Sequence, residues 1–217
     1  MTTRRRIICC ILSAFCLSAC GVFAPDSPQR VVRVKALADV SFRARNPNWP
    51  DEARGLIEAA SDYYEREFGI RFITESTEPW PTQERIPSTV DLLSKVEQAF
   101  PSQRKDGSYD LIVAFTAEGV SRYFIAGRSR VDRIGNCQQG LGNYVVTPVD
   151  EPFHYTVAHG EPELDVIALI HELAHIFGAE HVNDSNSIMH EYLGYRTEFD
   201  DKNRSVILKN RLCSFAK

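Results

Sequence analysis

A chain of 217 residues with 43% hydrophobic and 25% charged side chains carries enough apolar residues for one core and too many for a disordered chain. Its 25 basic residues against 29 acidic ones leave a net charge of −4, which excludes the strongly basic face of a nucleic-acid binder.

The first segment stands apart from the rest. Arg4-Arg5-Arg6 is followed by an apolar run from Ile7 to Ala19, the layout of a secretory signal, and the run is too short to span a bilayer comfortably. Leu17-Ser18-Ala19-Cys20 closes it and resembles the lipobox of bacterial lipoproteins, so the resemblance implies that residues 1–19 are removed and that Cys20 carries a lipid anchor. Residues 20–30, with two prolines and no apolar periodicity, read as a tether. Residues 31–217 then form one domain. Without Arg4, Arg5 and Arg6 the 25 basic residues become 22 against 29 acidic ones, which again speaks against nucleic acid as a partner. The expected location is the bacterial cell envelope, lipid-anchored and facing the periplasm or the exterior, with the chain a monomer.

Export sets the cysteine chemistry. Cys9, Cys10 and Cys16 leave with the signal and Cys20 takes the lipid, so Cys137 and Cys213 remain in an oxidising setting and are expected to pair. Their disulfide would close a loop of about 75 residues, worth roughly 4 kcal/mol by loop entropy.

Along the domain, alternation in Val32, Val34 and Ala36, continuing to Val40 and Phe42, predicts a strand with one buried face. Pro50 suits a first helical turn, and Ala53, Leu56, Ile57, Ala60, Tyr64 and Phe68 recur at helical spacing until Gly69. Ile70 to Thr74 reads as a second strand, Pro79-Trp80-Pro81 as a loop, and Ser88 to Phe100 as a helix with a serine cap. Asp110 to Phe115 is an apolar run that suits a fully buried strand. Tyr123 to Gly127 and Tyr144 to Val149 are further strands. Strands alternating with helices predict an α/β (α+β) fold around a mixed sheet.

Glu163 to Phe177 should be one helix, with Pro162 before it, acids at its positive end and Gly178 to stop it. Leu164, Ala168, His171 and His175 share one face, and apolar residues cover nearly all the rest. His171, Glu172 and His175 are therefore polar groups set next to a core, which is costly unless something compensates. A divalent metal does so. Two histidines four residues apart face the same side of a helix, Gly178 lets the chain turn back sharply, and His181 becomes a third ligand. Three protein ligands leave one position open, the pattern of a catalytic zinc ion rather than a closed structural one. Glu172, next to the first ligand, is placed to act as a general base.

His171-Glu172-x-x-His175-x-x-Gly178-x-x-His181 resembles the extended zinc signature of the metzincin metallopeptidases, and Ser187-Ile188-Met189 resembles their Met-turn. The short spacing from His181 to Met189 is similar to that of matrixin-like members. The resemblance implies a twisted mixed sheet with two main helices, the second carrying the zinc motif, then the Met-turn and a C-terminal helix, for which Asp200 to Leu212 is available. It also implies Met189 as an apolar floor under the histidine rings, one catalytic zinc ion, a protein or peptide substrate held along the edge strand, and cleavage of internal peptide bonds. Glu191 stands where some members carry a tyrosine two residues after the methionine, so no oxyanion-side residue is assigned. His190 reads as a cleft residue that is not a ligand, and His154 and His159 as exposed loop residues, with a second metal site as the alternative. The rival class is a lipid-anchored binding or scaffold protein with a non-catalytic zinc site.

Overall fold

The computed structural model describes residues 29–80, 88–102, 107–118, 130–149, 163–192 and 194–217. The first strand, β1 (Arg30–Ala38), buries Val32, Val34 and Ala36 as the alternation predicts. It stops short of Val40 and Phe42, because the Asp39 side chain accepts the Phe42 N–H at 2.8 Å and caps a short helix, α1 (Val40–Arg45). A residue that reads as a continuing strand is thus turned by its own carboxylate.

Helix α2 (Trp49–Phe68) has Pro50 in its first turn and ends at Gly69, whose φ of 66° is left-handed. Its Ala53, Leu56, Ile57, Ala60, Tyr64 and Phe68 lie on the buried face. Strand β2 (Ile70–Pro79) outruns its expected end at Thr74. A register shift opposite Val34 and Lys35 leaves Glu75 unpaired, after which Ser76 to Pro79 continue along β1. As a polar stretch on the edge of the sheet, this half carries no alternation to read. Helix α3 (Thr89–Ala99) is capped by Ser88.

Strands β3 (Leu111–Thr116) and β5 (Tyr144–Pro148) are buried throughout, and a two-residue strand, β4 (Arg130–Val131), lies between them in sequence. Asp110, expected inside β3, sits just before it and pairs with Arg33 at 3.0 Å. The strand expected over Tyr123 to Gly127 lies outside the described residues. Helices α4 (Leu164–Ile176) and α5 (Asp201–Asn210) complete the chain.

The sheet order is β2-β1-β3-β5-β4, parallel except for β4, which runs antiparallel to β5 at the edge. Alternate strand residues feed two separate cores. Val34, Leu111, Val113 and Val145 pack with α2 and α4 on one face, while Leu37, Ile112, Ala114 and Val146 pack with α3 on the other. Covering both faces is what makes the central strands continuous apolar runs. This is the mixed α/β architecture expected from the sequence, with α3 as a further covering helix. None of the described helices is long and apolar enough to cross a membrane.

Candidate metal centre

Helix α4 is apolar nearly all round, with Val166 to Ile170, Leu173, Ala174 and Ile176 buried. A helix of this composition is stable only between layers, and it lies between the sheet and the C-terminal segment. His171 and His175 are buried one turn apart on it. Gly178, at φ 97°, reverses the chain. A Cβ there would come within 2.5 Å of the Gly135 carbonyl oxygen and 2.6 Å of the Asn210 amide nitrogen, so the turn demands glycine on both counts.

The reversal brings His181 back. The three Nε2 atoms converge, 3.0 Å between His171 and His181, 3.2 Å between His171 and His175, and 3.3 Å between His175 and His181. The other ring nitrogens explain why. His171 Nδ1 lies 2.7 Å from the Ile188 carbonyl oxygen, and His175 Nδ1 lies 2.7 Å from that of Ala179. A carbonyl can only accept, so both rings carry their proton on Nδ1 and turn bare Nε2 lone pairs toward each other.

Two lone pairs 3.2 Å apart repel unless a cation lies between them. Tetrahedral zinc with Zn–N bonds of about 2.0–2.1 Å separates its nitrogen ligands by about 3.3 Å, so spacing and donor chemistry both fit this ion. Burial holds the His171 pKa down to about 3, with the neighbouring His175 adding to the effect, and burial likewise holds His175 down to about 4. Both rings are therefore neutral at physiological pH, the form that binds metal.

Glu172, beside the first histidine, is half-buried, and burial pushes its carboxyl up to about 8, against a smaller pull from Arg130 on the edge strand. Met189 is wholly buried in the core that also holds α4. Ser187 Oγ accepts the Met189 N–H at 3.0 Å and fixes this turn. Among the described residues the trio is the one cluster of potential metal ligands, and His190 is not part of it. His190 Nδ1 instead accepts the Tyr192 N–H at 3.1 Å. Tyr192 and Tyr195 are exposed, at 65% and 71%. His154 and His159 lie outside the described residues. Cys137 and Cys213 form a disulfide, with their Cα atoms 5.1 Å apart.

A model of metallo-peptidase family M12 matches residues 28–213. The chain belongs to that family. The crystal structure of archaemetzincin from Methanopyrus kandleri shares its fold, with a TM-score of 0.53 and 17% identity over 83% of this chain and 95% of that one. No curated protein sequence matches the chain. Family membership rests on nearly the whole folded domain rather than on the histidine motif alone.

The M12 peptidase also contains site residues that periodicity did not single out. Asn203 and Asn210 are buried on α5, seven residues and hence nearly two turns apart, on one face of the helix. Asparagine is a poor choice for a helix interior unless its amide is used elsewhere, and that was the available signal. Asn210 donates to the Phe177 carbonyl oxygen at the end of α4, and Asn203 grips the backbone of Glu180.

Proposed function

We propose that this chain is a zinc-dependent endopeptidase in which His171, His175 and His181 hold one zinc ion and Glu172 is the general base. The observation that carries the reading is the convergence of three Nε2 atoms whose partner nitrogens, on His171 and His175, are already committed to carbonyl oxygens. When bound, zinc supplies Lewis-acid activation of water and of the scissile carbonyl.

Glu172 follows His171 directly, so its carboxylate is within reach of the same water without occupying a ligand position. It takes the water proton and passes it to the leaving amine, while its half-buried setting favours holding that proton between the two steps. The substrate lies extended along β4, the last strand in the sheet order, so that main-chain hydrogen bonds align a peptide without requiring a chain terminus. This is the reason for proposing internal cleavage. Met189 forms the floor beneath the histidines, and the seven residues between His181 and Met189 place the chain nearer the matrixin-like pattern.

The N-terminal sequence supports a location. Leu17-Ser18-Ala19-Cys20 after a basic and apolar run favours a lipoprotein anchored through Cys20 to the bacterial envelope, with the monomeric peptidase domain facing the periplasm or the exterior. Cys20→Ser should release unlipidated protein into the soluble fraction.

Mass-spectrometric mapping of products from a mixed peptide library tests the reading. New termini within peptides, lost on zinc chelation and restored by zinc, are expected. Trimming from chain ends alone would rule out the endopeptidase, and no products at all would favour the scaffold reading.

A further inference from the structure

The segment joining the second and third histidines is held from outside the motif. Asn203 on α5 is completely buried, and both ends of its amide are used on one residue. Its Oδ1 accepts the Glu180 N–H at 2.9 Å, and its Nδ2 donates to the Glu180 carbonyl oxygen at 2.9 Å and to Asp200 Oδ2 at 2.8 Å. Only one orientation of the amide satisfies all three partners, so its direction is fixed.

Each gripped group has a consequence at the metal centre. The Glu180 N–H belongs to the same peptide unit as the Ala179 carbonyl, and that carbonyl receives the Nδ1 proton of His175. The Glu180 carbonyl belongs to the next peptide unit, which leads directly into His181. One amide thereby sets the plane that orients the second histidine and the plane that launches the third. The bonds run in series, from Asn203 through a peptide to an imidazole, an arrangement in which each bond polarises the next. The same α5 terminus also reaches the turn beneath the first histidine, because Asp200 Oδ2 accepts the Ser187 hydroxyl at 2.8 Å.

We infer that Asn203 is a positioning residue for the metal centre, aligning His175 and His181 through the two peptide units that flank Glu180. The inference rests on the reading of the three histidines as zinc ligands. Without Asn203, the His181 turn would keep its glycine and its sequence but lose the partner that fixes both peptide planes. The metal would then be held by correctly placed residues in loosened orientations.

The test uses purified full-chain protein, with zinc affinity measured by competition against a chromophoric chelator and the visible spectrum of the cobalt-loaded form as a second readout. Asn203→Ala should weaken zinc binding roughly 10- to 100-fold, the usual effect of removing an outer-shell partner, and alter the cobalt bands. Asn203→Asp, nearly isosteric, keeps the acceptor for the Glu180 N–H and loses the donor to its carbonyl. Because it also turns an oxygen toward Asp200 Oδ2 and the Glu180 carbonyl, where Nδ2 donated, it should weaken zinc binding at least as much as Asn203→Ala. Ile207→Ala is the control, since Ile207 is fully buried on the same helix and packs in the main core. It should lower the melting temperature while leaving zinc affinity within about twofold, because it removes packing and no outer-shell partner. Wild-type affinity and cobalt spectrum in Asn203→Asp, or an equal loss of affinity in Ile207→Ala, would overturn the inference. If wild type itself binds no zinc, the reading of the three histidines fails first.

Discussion

The Nδ1 of His171 donates its proton to the carbonyl oxygen of Ile188, 2.7 Å away, so the residue immediately before Met189 fixes the tautomer of the first histidine of the motif. The turn around Met189 thus does more than fill the core. It holds one of them in the form that offers Nε2.

Ser187 is the pin of that turn. Its hydroxyl donates to Asp200 Oδ2 at 2.8 Å and accepts the N–H groups of Met189 at 3.0 Å and Asp200 at 3.3 Å. Ser187→Ala should take the acceptor from the Met189 and Asp200 N–H groups and cost about 1–3 kcal/mol, with weaker zinc binding because the turn that presents the Ile188 carbonyl is less firmly held. Urea unfolding with an unchanged m-value, combined with zinc titration, measures both. Wild-type values in both would remove Ser187 from this role.

Gly178→Ala should be worse than its size suggests. The φ of 97° is strained for alanine, and the added carbon would press on the Gly135 backbone carbonyl and on the Asn210 amide, which is tied to the Phe177 carbonyl oxygen. A loss of roughly 2 kcal/mol or more is expected, accompanied by reduced zinc content as His181 is displaced. A melting temperature and zinc content like those of wild type would show that the turn can relax.

The Cys137–Cys213 bond ties the segment before β5 to the chain beyond α5, across a sequence separation of 76. Cys213→Ser should therefore cost about 2–4 kcal/mol, chiefly by freeing the unfolded chain. The fold should survive, because Leu141 still exchanges backbone hydrogen bonds with the tail, from its N–H to Ser214 and to its carbonyl from Ala216. Urea midpoints of wild type with and without reductant, set beside those of the variant, check this. The reduced wild type and the variant should coincide.

Acid should weaken the α5 terminus in a defined direction. Burial pushes the Asp200 carboxyl up, but hydrogen bonds from the Asn203 side chain and backbone and from Ser187 together outweigh it and hold the group below the usual carboxylate range. A folded-state value below the unfolded one gives stability that is present above about pH 4 and lost as pH falls through the folded value. Asp200→Asn should be less stable than wild type at pH 7, with the gap closing as pH falls through the folded-state value and the wild-type carboxylate is protonated. A gap constant with pH would show that charge is not involved.

The sequence made the middle of the site legible and left its supports hidden. His171, Glu172, His175, Gly178 and His181 stand out because an apolar helix makes buried polar residues expensive, and Met189 because of its position after them. The long helices ending at Gly69 and before Gly178 were equally readable, since each joins a clear apolar face to a glycine stop. Strand β2 beyond Thr74 was not, because an edge strand with a bulge at Glu75 has no alternation to show. Asp39 stopped β1 through a side-chain bond that alternation does not register. Asn203 and Asn210 act on backbone groups more than twenty residues away, and no local pattern records such a partnership.

The most direct test of the central claim is the rate at which zinc-loaded Glu172→Gln cleaves a peptide that the wild type cleaves, with zinc content measured on the same samples. Both proteins should hold about one zinc per chain, and the variant should be slower by roughly 100- to 10,000-fold, the usual contribution of a general base. Equal rates at equal zinc content would contradict the account.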